Sequence, residues 1–263
     1  MAKRPREVTP ESRLNVILEH VMAEGFVSVD ELAKRLGVSR MTVHRDLDRL
    51  ERKGLLRKVR GGASVEPSVV FESNFHYRSQ LATVEKRAAA RAAARLLEPG
   101  QAVMIDDSTT TSFLAELLPE LVPITVITNG LTLINELRDI RGINLIALGG
   151  NYNHVYNAFT GILCEQAIQT LRADVLLMST SAVHGTSLYH QDEHAAKIKR
   201  AMIDSCAQRI FLVDASKFEK SALIRFADLR EFDKVLIGGM LNERVFEELS
   251  DKQIPFEVVT PDA

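Results

Sequence analysis

The stretch Ser39-Arg40-Met41-Thr42-Val43-His44-Arg45-Asp46-Leu47 constrains this chain more than any other. It follows Asp30-Glu31-Leu32-Ala33-Lys34-Arg35-Leu36-Gly37-Val38, a short run of helical periodicity that stops at a glycine. Two short helices across a tight turn make a helix-turn-helix, whose second helix enters the DNA major groove. Val43, Leu47 and Leu50 fall at i, i+4 and i+7 and are expected to face a core. Arg40, Met41, Thr42, His44 and Arg45 are then left on the outer and N-terminal surface. Arginine pairs bidentately with guanine, and a helix N-terminus with hydroxyls such as Ser39 and Thr42 holds phosphate. His44 can touch a base or phosphate, or simply lie in solvent.

The flanking sequence completes a small domain. Leu14, Ile17, Leu18 and Val21 predict a first helix over residues 10–24, with Pro10 in its first turn and Gly25 ending it. Phe26-Val27 suits one short strand. Ser28 with Glu31 three residues on is a capping-box signature for the second helix, whose buried stripe is Leu32, Leu36 and Ala33. Ser28 also joins the expected DNA-contact set, and Ser39 caps the third helix. From Lys53 to Ala63, apolar and basic residues alternate around Gly61-Gly62, which predicts a β-hairpin. Placed after a helix-turn-helix, such a hairpin is a wing. Arg57, Lys58 and Arg60 would follow the phosphates, with Gly61 and Gly62 at the tip, adding affinity rather than base choice.

Charge agrees with this division. Residues 1–65 hold 14 Lys+Arg against 9 Asp+Glu, and the rest of the chain holds 19 against 26. A front of net +5 on a body of net −7 places polyanion contact at the front. The 263 residues are 46% hydrophobic and 26% charged, ordinary for a globular protein of two domains. No apolar run reaches the ~18 residues of a membrane span. The basic start, Lys3-Arg4-Pro5-Arg6, lacks a signal-peptide core. Cys164 and Cys206 have neither metal nor disulfide spacing. A cytoplasmic protein without cofactor or membrane partner is expected.

Residues 66–80, including Pro67, lose periodicity and are expected to link the front domain (1–65) to a body (81–263). The Ala- and Arg-rich stretch from Arg78 to Leu97 predicts a helix opening that body. Short β-type runs then alternate with helical segments. They are Ala102–Ile105, Ile124–Ile127, Ile143–Ala147, Asp174–Met178, Arg209–Val213, Lys234–Ile237 and, last, Phe256–Val259. This is the pattern of an α/β domain with a mostly parallel sheet, whose ligands bind beyond the C-terminal strand ends. Those ends are polar. The first runs into Asp106-Asp107-Ser108-Thr109-Thr110-Thr111, ahead of a helix carrying Phe113, Leu114, Leu117 and Leu118. Such a hydroxyl-rich turn suits either an anion or an over-provisioned helix cap. The two aspartates repel an anion unless they point elsewhere, and can accept from sugar hydroxyls. Asn129, Gly149-Gly150 and Lys217 follow later strands, while Glu193 and Lys197 open a helix, where they also suit a plain ion pair. Together they predict a pocket for a polar, anionic small molecule.

Two alternatives stand beside this reading. Asp106, Asp107, His184 and Glu193 are acid–base candidates for a sugar-phosphate isomerase or deaminase fused to a DNA-binding head, although no complete catalytic set can be assigned. His190 and His194, four residues apart, suit zinc if they share a helical face, but their order is not a zinc-protease motif and a chance surface pair is the stronger reading.

The block from Val27 to Ala63, with Val29-Asp30-Glu31-Leu32-Ala33, Arg45-Asp46-Leu47, Leu50-Glu51, Gly54-Leu55 and Arg60-Gly61-Gly62-Ala63, closely resembles the N-terminal domain of the DeoR family of bacterial transcriptional regulators. The resemblance continues through Glu85-Lys86, Asp106 with Thr109-Thr110-Thr111, Thr128-Asn129, Gly149-Gly150, Thr160-Gly161, Asp174, Glu193 with Lys197 to Met202, and Asp214 with Ser216-Lys217-Phe218. It implies a winged helix-turn-helix of α+β class joined to an α/β domain related to ribose-5-phosphate isomerase and glucosamine-6-phosphate deaminase. It further implies double-stranded operator DNA and a phosphorylated sugar as partners, a dimer or tetramer of identical chains, and repression of sugar catabolism rather than catalysis. Three places depart from the family pattern: Ser108 where glycine is usual, Ser179 to Gly185, and Gly238-Gly239-Met240. They are expected to set the particular effector.

Overall fold

A computed structural model describes residues 10–52, 56–64 and 74–260. The chain divides into two compact units, Met1–Arg78 and Ser79–Ala263.

In the first unit, α1 (Pro10–Glu24), β1 (Phe26–Ser28), α2 (Val29–Leu36) and α3 (Arg40–Arg52) precede the hairpin β2 (Arg57–Val59) and β3 (Gly62–Ser64). The three strands form one antiparallel sheet with β3 in the centre. The apolar stripes converge as the periodicity requires. Ile17 and Val21 of α1, Leu32 of α2, and Val43 and Leu47 of α3 are fully buried in one cluster with Val27 and Ala63. Each such side chain contributes about 1.5–3 kcal/mol by leaving water. Arg13 reaches the buried Asp46 with two hydrogen bonds, 2.6 and 3.2 Å, locking α1 to α3. Ser28 Oγ accepts from Glu31 N, but Glu31 turns away to pair with Arg35, so only half of the expected capping box forms.

The wing differs from expectation at its tip. Val59 pairs with Gly62, so the loop is Arg60-Gly61 and Gly62 belongs to a strand. Gly61 supplies the positive φ of 84°. Gly62 is needed for another reason, since a Cβ there would lie 2.3 Å from Val27 O. The first part of the expected hairpin, Lys53 to Leu55, lies outside the described residues.

Residues 66–73 of the expected linker also lie outside them. The single helix expected from Arg78 to Leu97 is two helices, α4 (Phe75–Ser79) and α5 (Thr83–Ala94). Ala82 between them is left-handed, with φ of 49°, and no glycine or proline announces the break.

The second unit is built on seven parallel strands: β4 (Ala102–Ile105), β5 (Ile124–Thr128), β6 (Ile143–Ala147), β9 (Ala173–Met178), β12 (Cys206–Asp214), β14 (Lys234–Gly238) and β15 (Phe256–Val259). Their order is β15-β14-β12-β9-β4-β5-β6. The chain therefore builds outward from β4 in one direction, then returns to its other side with β9, and the order reverses between β4 and β9. Alternate residues feed two cores. Met104, Leu176, Phe211 and Val235 face a layer containing α7 (Ile162–Gln169) and α8 (Glu193–Asp204). Val103, Val175, Ile210 and Leu236 face α5 and α6 (Leu131–Leu137). Burial on both faces is what continuous apolar parallel strands require.

Several elements were not expected. A small ribbon, β7 (Asn151–Asn153) with β8 (Ala158–Thr160), follows β6. A second antiparallel sheet joins β10 (Ala182–His184), β11 (Ser187–His190) and β13 (Ile224–Asp228). The helix expected around Phe113 to Leu118 is two 3₁₀ segments, Thr111–Glu116 and Leu118–Leu121. The chain closes with α9 (Glu243–Asp251), ahead of β15. No helix among the described residues is long and apolar enough to cross a membrane.

Candidate DNA-reading face and ligand site

The third helix presents its N-terminal half outward. Arg40, Met41, His44 and Arg45 are exposed and Thr42 is half-buried, while Val43, Asp46 and Leu47 turn inward. Ser39 caps the helix, its Oγ accepting from Thr42 N at 3.2 Å and lying 2.9 Å from Thr42 Oγ1. In the wing Arg57 and Arg60 are exposed and Lys58 half-buried. Arg45, Arg57 and Arg60 make no ion pair among the described residues. Arg40 and Lys58 do. Asp30 grips the Arg40 guanidinium at two points, 2.7 and 3.0 Å. Asp48 takes the Lys58 ammonium, while Glu51 accepts from Lys58 N at 2.8 Å. The Lys58 hydrogen bond holds the Asp48 carboxyl below its ordinary range, with His44 and Arg52 adding to the effect. The acidic partners Asp30 and Asp48 were not singled out from sequence. Ser28 spends its acceptor on its own cap.

At the strand ends of the second unit, the hydroxyl-rich loop folds inward. Asp106 through Thr111 are all buried. The Asp106 carboxylate accepts from Ser108 N and Oγ, Thr111 Oγ1, Ser179 N and Lys199 Nζ, at 2.5–3.1 Å. With five internal donors it has no capacity left for a sugar hydroxyl. Its role is to tie the end of β4 to the end of β9, across the point where the strand order reverses. Lys199, fully buried, completes the tie through Ser108 Oγ and Ser179 O, both at 3.2 Å, with Asp107 at 3.7 Å. Ser108 is thus a working member of this network. Thr111 spends its hydroxyl on Asp106 and on Ser108 O. Thr109 and Thr110 remain as ligand candidates, Thr110 lying 3.4 Å from Ser179 Oγ.

The next strands add to the cluster. Gly130 brings β5 close to β4, since a Cβ there would stand 3.2 Å from Asp107 Cα. Asn129 is clamped to β8, its side-chain Nδ2 donating to Phe159 O at 3.0 Å and its backbone carbonyl accepting from Phe159 N at 2.9 Å. Gly150 has φ of 140°, and a Cβ would meet Thr160 O at 2.6 Å, so it seats β8 and α7. Gly149 is left with open space beside it. Burial pushes the Cys164 thiol on α7 up to about 12, and the Asp107 charge adds to this. Beyond β12, Lys217 is buried and Ser216 Oγ donates to Asp214 Oδ1. Among the described residues, three buried side-chain atoms lack a hydrogen-bond partner: Ser64 Oγ in the wing, Asn129 Oδ1 and Asp214 Oδ2. Two of the three lie at C-terminal strand ends of this sheet.

Two expected members are not there. Glu193 and Lys197 pair with one another at 2.7 Å on the exposed side of α8. Lys197 precedes Lys199 by two residues, about 200° around the helix, so it points away from the cluster. It lines instead a surface cleft of about 550 Å³ with Arg200 and Phe226. A cleft of about 230 Å³ between α5 and β15 is also remote from the strand ends, and neither displaces the cluster on chemical grounds. The acid–base set of the enzyme alternative is not assembled either, because Asp106 is saturated while Glu193 and His184 are exposed. The histidine pair separates too. His190 is buried on β11 with its Nδ1 accepting from Asp192 N, whereas His194 is exposed on α8. Gly238 and Gly239 have a packing explanation: a Cβ at Gly238 would lie 2.0 Å from Glu85 O, so the departure there admits α5 against β14.

Lys199 and Asp214 entered only through the family resemblance and were given no site role, whereas Ser179 opened one of the departures expected to set the effector. Lys199 left a readable trace, since it sits in the otherwise apolar stripe of Ala195, Ala196, Ile198, Met202 and Ile203. Asp214 left no trace in the periodicity beyond its place after a strand.

Known proteins share both halves. Residues 13–69 match the DeoR-like helix-turn-helix domain, and residues 81–238 match the DeoR C terminal sensor domain. The chain is 32% identical to the putative aga operon transcriptional repressor of Escherichia coli O157:H7, covering 86% of this chain and 85% of that one. It is 34% identical to the L-fucose operon activator of Haemophilus influenzae, over 89% and 94%. It is 29% identical to the glycerol-3-phosphate regulon repressor of Escherichia coli, over 94% and 98%. Ribose 5-phosphate isomerase from Plasmodium falciparum aligns over 51% of this chain and 52% of its own, at 15% identity and a TM-score of 0.37. Matched through both domains and over most of its length, the chain belongs to the DeoR family and is a DNA-binding transcriptional regulator.

Proposed function

We propose that the chain represses genes of carbohydrate metabolism, reads its operator with the exposed face of α3, and is controlled by a phosphorylated sugar at the strand ends of the second unit. One observation supports the ligand above the others. Buried polar groups in folded proteins are almost always paired, yet Asn129 Oδ1 and Asp214 Oδ2 are not. Both accept only, or best, from donors such as sugar hydroxyls. The hydroxyls of Thr109 and Thr110 and the ammonium of Lys217 suit the phosphate. Carbohydrate genes are suggested by the roles of the relatives, two of which are repressors and one an activator. Repression relieved by ligand is the reading we adopt. A symmetric dimer or tetramer would place two copies of α3 on half-sites about one DNA turn apart.

The site is tested by melting the full chain with pentose, hexose and amino-sugar phosphates and with inorganic phosphate. A ligand at about 100 times its Kd should raise the Tm by roughly 5 °C or more. Thr110→Val and Lys217→Ala should each remove most of that shift. No shift with any phosphorylated sugar would overturn the assignment.

A further inference from the structure

The DNA-facing cations fall into two groups. Arg45, Arg57 and Arg60 stand free of ion pairs among the described residues, whereas Arg40 and Lys58 each hold an aspartate. The Arg40–Asp30 pair joins the first turns of α3 and α2, with 69% and 68% of the two side chains exposed. The Lys58–Asp48 pair joins the wing to the middle of α3. Neither aspartate serves as the cap of its own helix. Ser28 already caps α2, and Asp48 lies mid-helix on the face shared with His44 and Arg52. The Arg40–Asp30 pair, this exposed, is weakly held and exchanges its acid readily for another anion, and the Lys58–Asp48 pair, at 29% and 50% exposed, is open to the same exchange from its aspartate side.

We infer that Asp30 and Asp48 are specificity determinants that act as internal stand-ins for DNA phosphates, holding Arg40 and Lys58 until the close fit of a correct site exchanges them. On unrelated DNA the contact is loose and electrostatic, and each cation kept by its aspartate releases no counterion. On a correct site, docking of α3 and the wing sets a phosphate within reach of both cations. The aspartates then weaken binding to wrong sequences more than to the right one, which is how repulsive or competing groups raise discrimination. The inference rests on the reading of α3 as the DNA-facing helix.

The test compares a random-sequence 30-base-pair duplex with a duplex enriched from a random library by the wild-type full chain, across a salt series. Asp30→Asn should tighten binding to the random duplex about two- to fivefold. It should steepen the slope of log affinity against log salt by about 0.9, the value of one added phosphate contact. The enriched duplex should gain less. Arg40→Ala should abolish the gain in the Asp30→Asn background and leave the random-duplex slope unchanged in the wild type. Asp48→Asn with Lys58→Ala should behave in parallel. A gain that survives Arg40→Ala, equal gains on both duplexes, or no gain would each overturn the inference. Arg45→Ala is the separate control: if it affects neither duplex, the reading of α3 has failed instead.

Discussion

Single residues on α3 and the wing divide between reading and holding. Arg45 is exposed on the outward face, while its neighbour Asp46 is buried against Arg13. Arg45→Ala should cost about 1–3 kcal/mol on an enriched duplex and relax the base preference there. Arg60→Ala should weaken all sequences alike and flatten the salt slope by about 0.9. Competition binding at several salt concentrations separates the two, and equal loss on enriched and random DNA for Arg45→Ala would remove it as a reader. In the second unit the decisive residue is Lys199. Lys199→Met leaves Asp106 buried with its charge uncompensated, which should cost about 3–5 kcal/mol in urea denaturation. Adding Asp106→Asn should recover much of that loss. If Lys199→Met melts like the wild type, the buried tie between β4 and β9 is not what holds the loop. The sequence showed Asp106 plainly but not its role, because nothing local reveals that five donors from three separate segments will converge on it.

Elements were legible where one periodicity governed them. Helices α1, α2 and α3 and the seven parallel strands follow from apolar spacing, and the inner strands are apolar throughout because both of their faces are buried. The ribbon β7–β8 and the sheet of β10, β11 and β13 were not, since their short, mixed sequences carry no run long enough to count. The break at Ala82 was hidden for a similar reason: alanine favours helix, and only tertiary packing puts it at φ of 49°. Glycines were visible but could be misassigned. Gly62 reads as a turn residue and Gly238 as part of a ligand loop, yet both admit close backbone approach. Gly238→Ala would drive a methyl into the Glu85 carbonyl and force α5 away from β14. A loss of about 1–3 kcal/mol or more is expected in chemical denaturation. A neutral effect would show that α5 can move aside without cost.

The whole molecule couples a DNA-reading unit to a second unit whose polar cluster sits where the sheet order reverses. A ligand can control DNA binding only if it binds the competent and incompetent states with different affinity, and a tenfold effect needs about 1.4 kcal/mol of such coupling. The order reversal was legible only once strand pairing was known, because sequence gives the strands but not their neighbours. The most direct measurement is the Kd for the enriched duplex, by fluorescence anisotropy, titrated with whichever sugar phosphate raises the melting temperature of the full chain. DNA binding should be at least tenfold weaker at saturation, with no change for Lys217→Ala. An unchanged Kd at saturating, stabilising ligand would contradict control of DNA binding by the sugar phosphate.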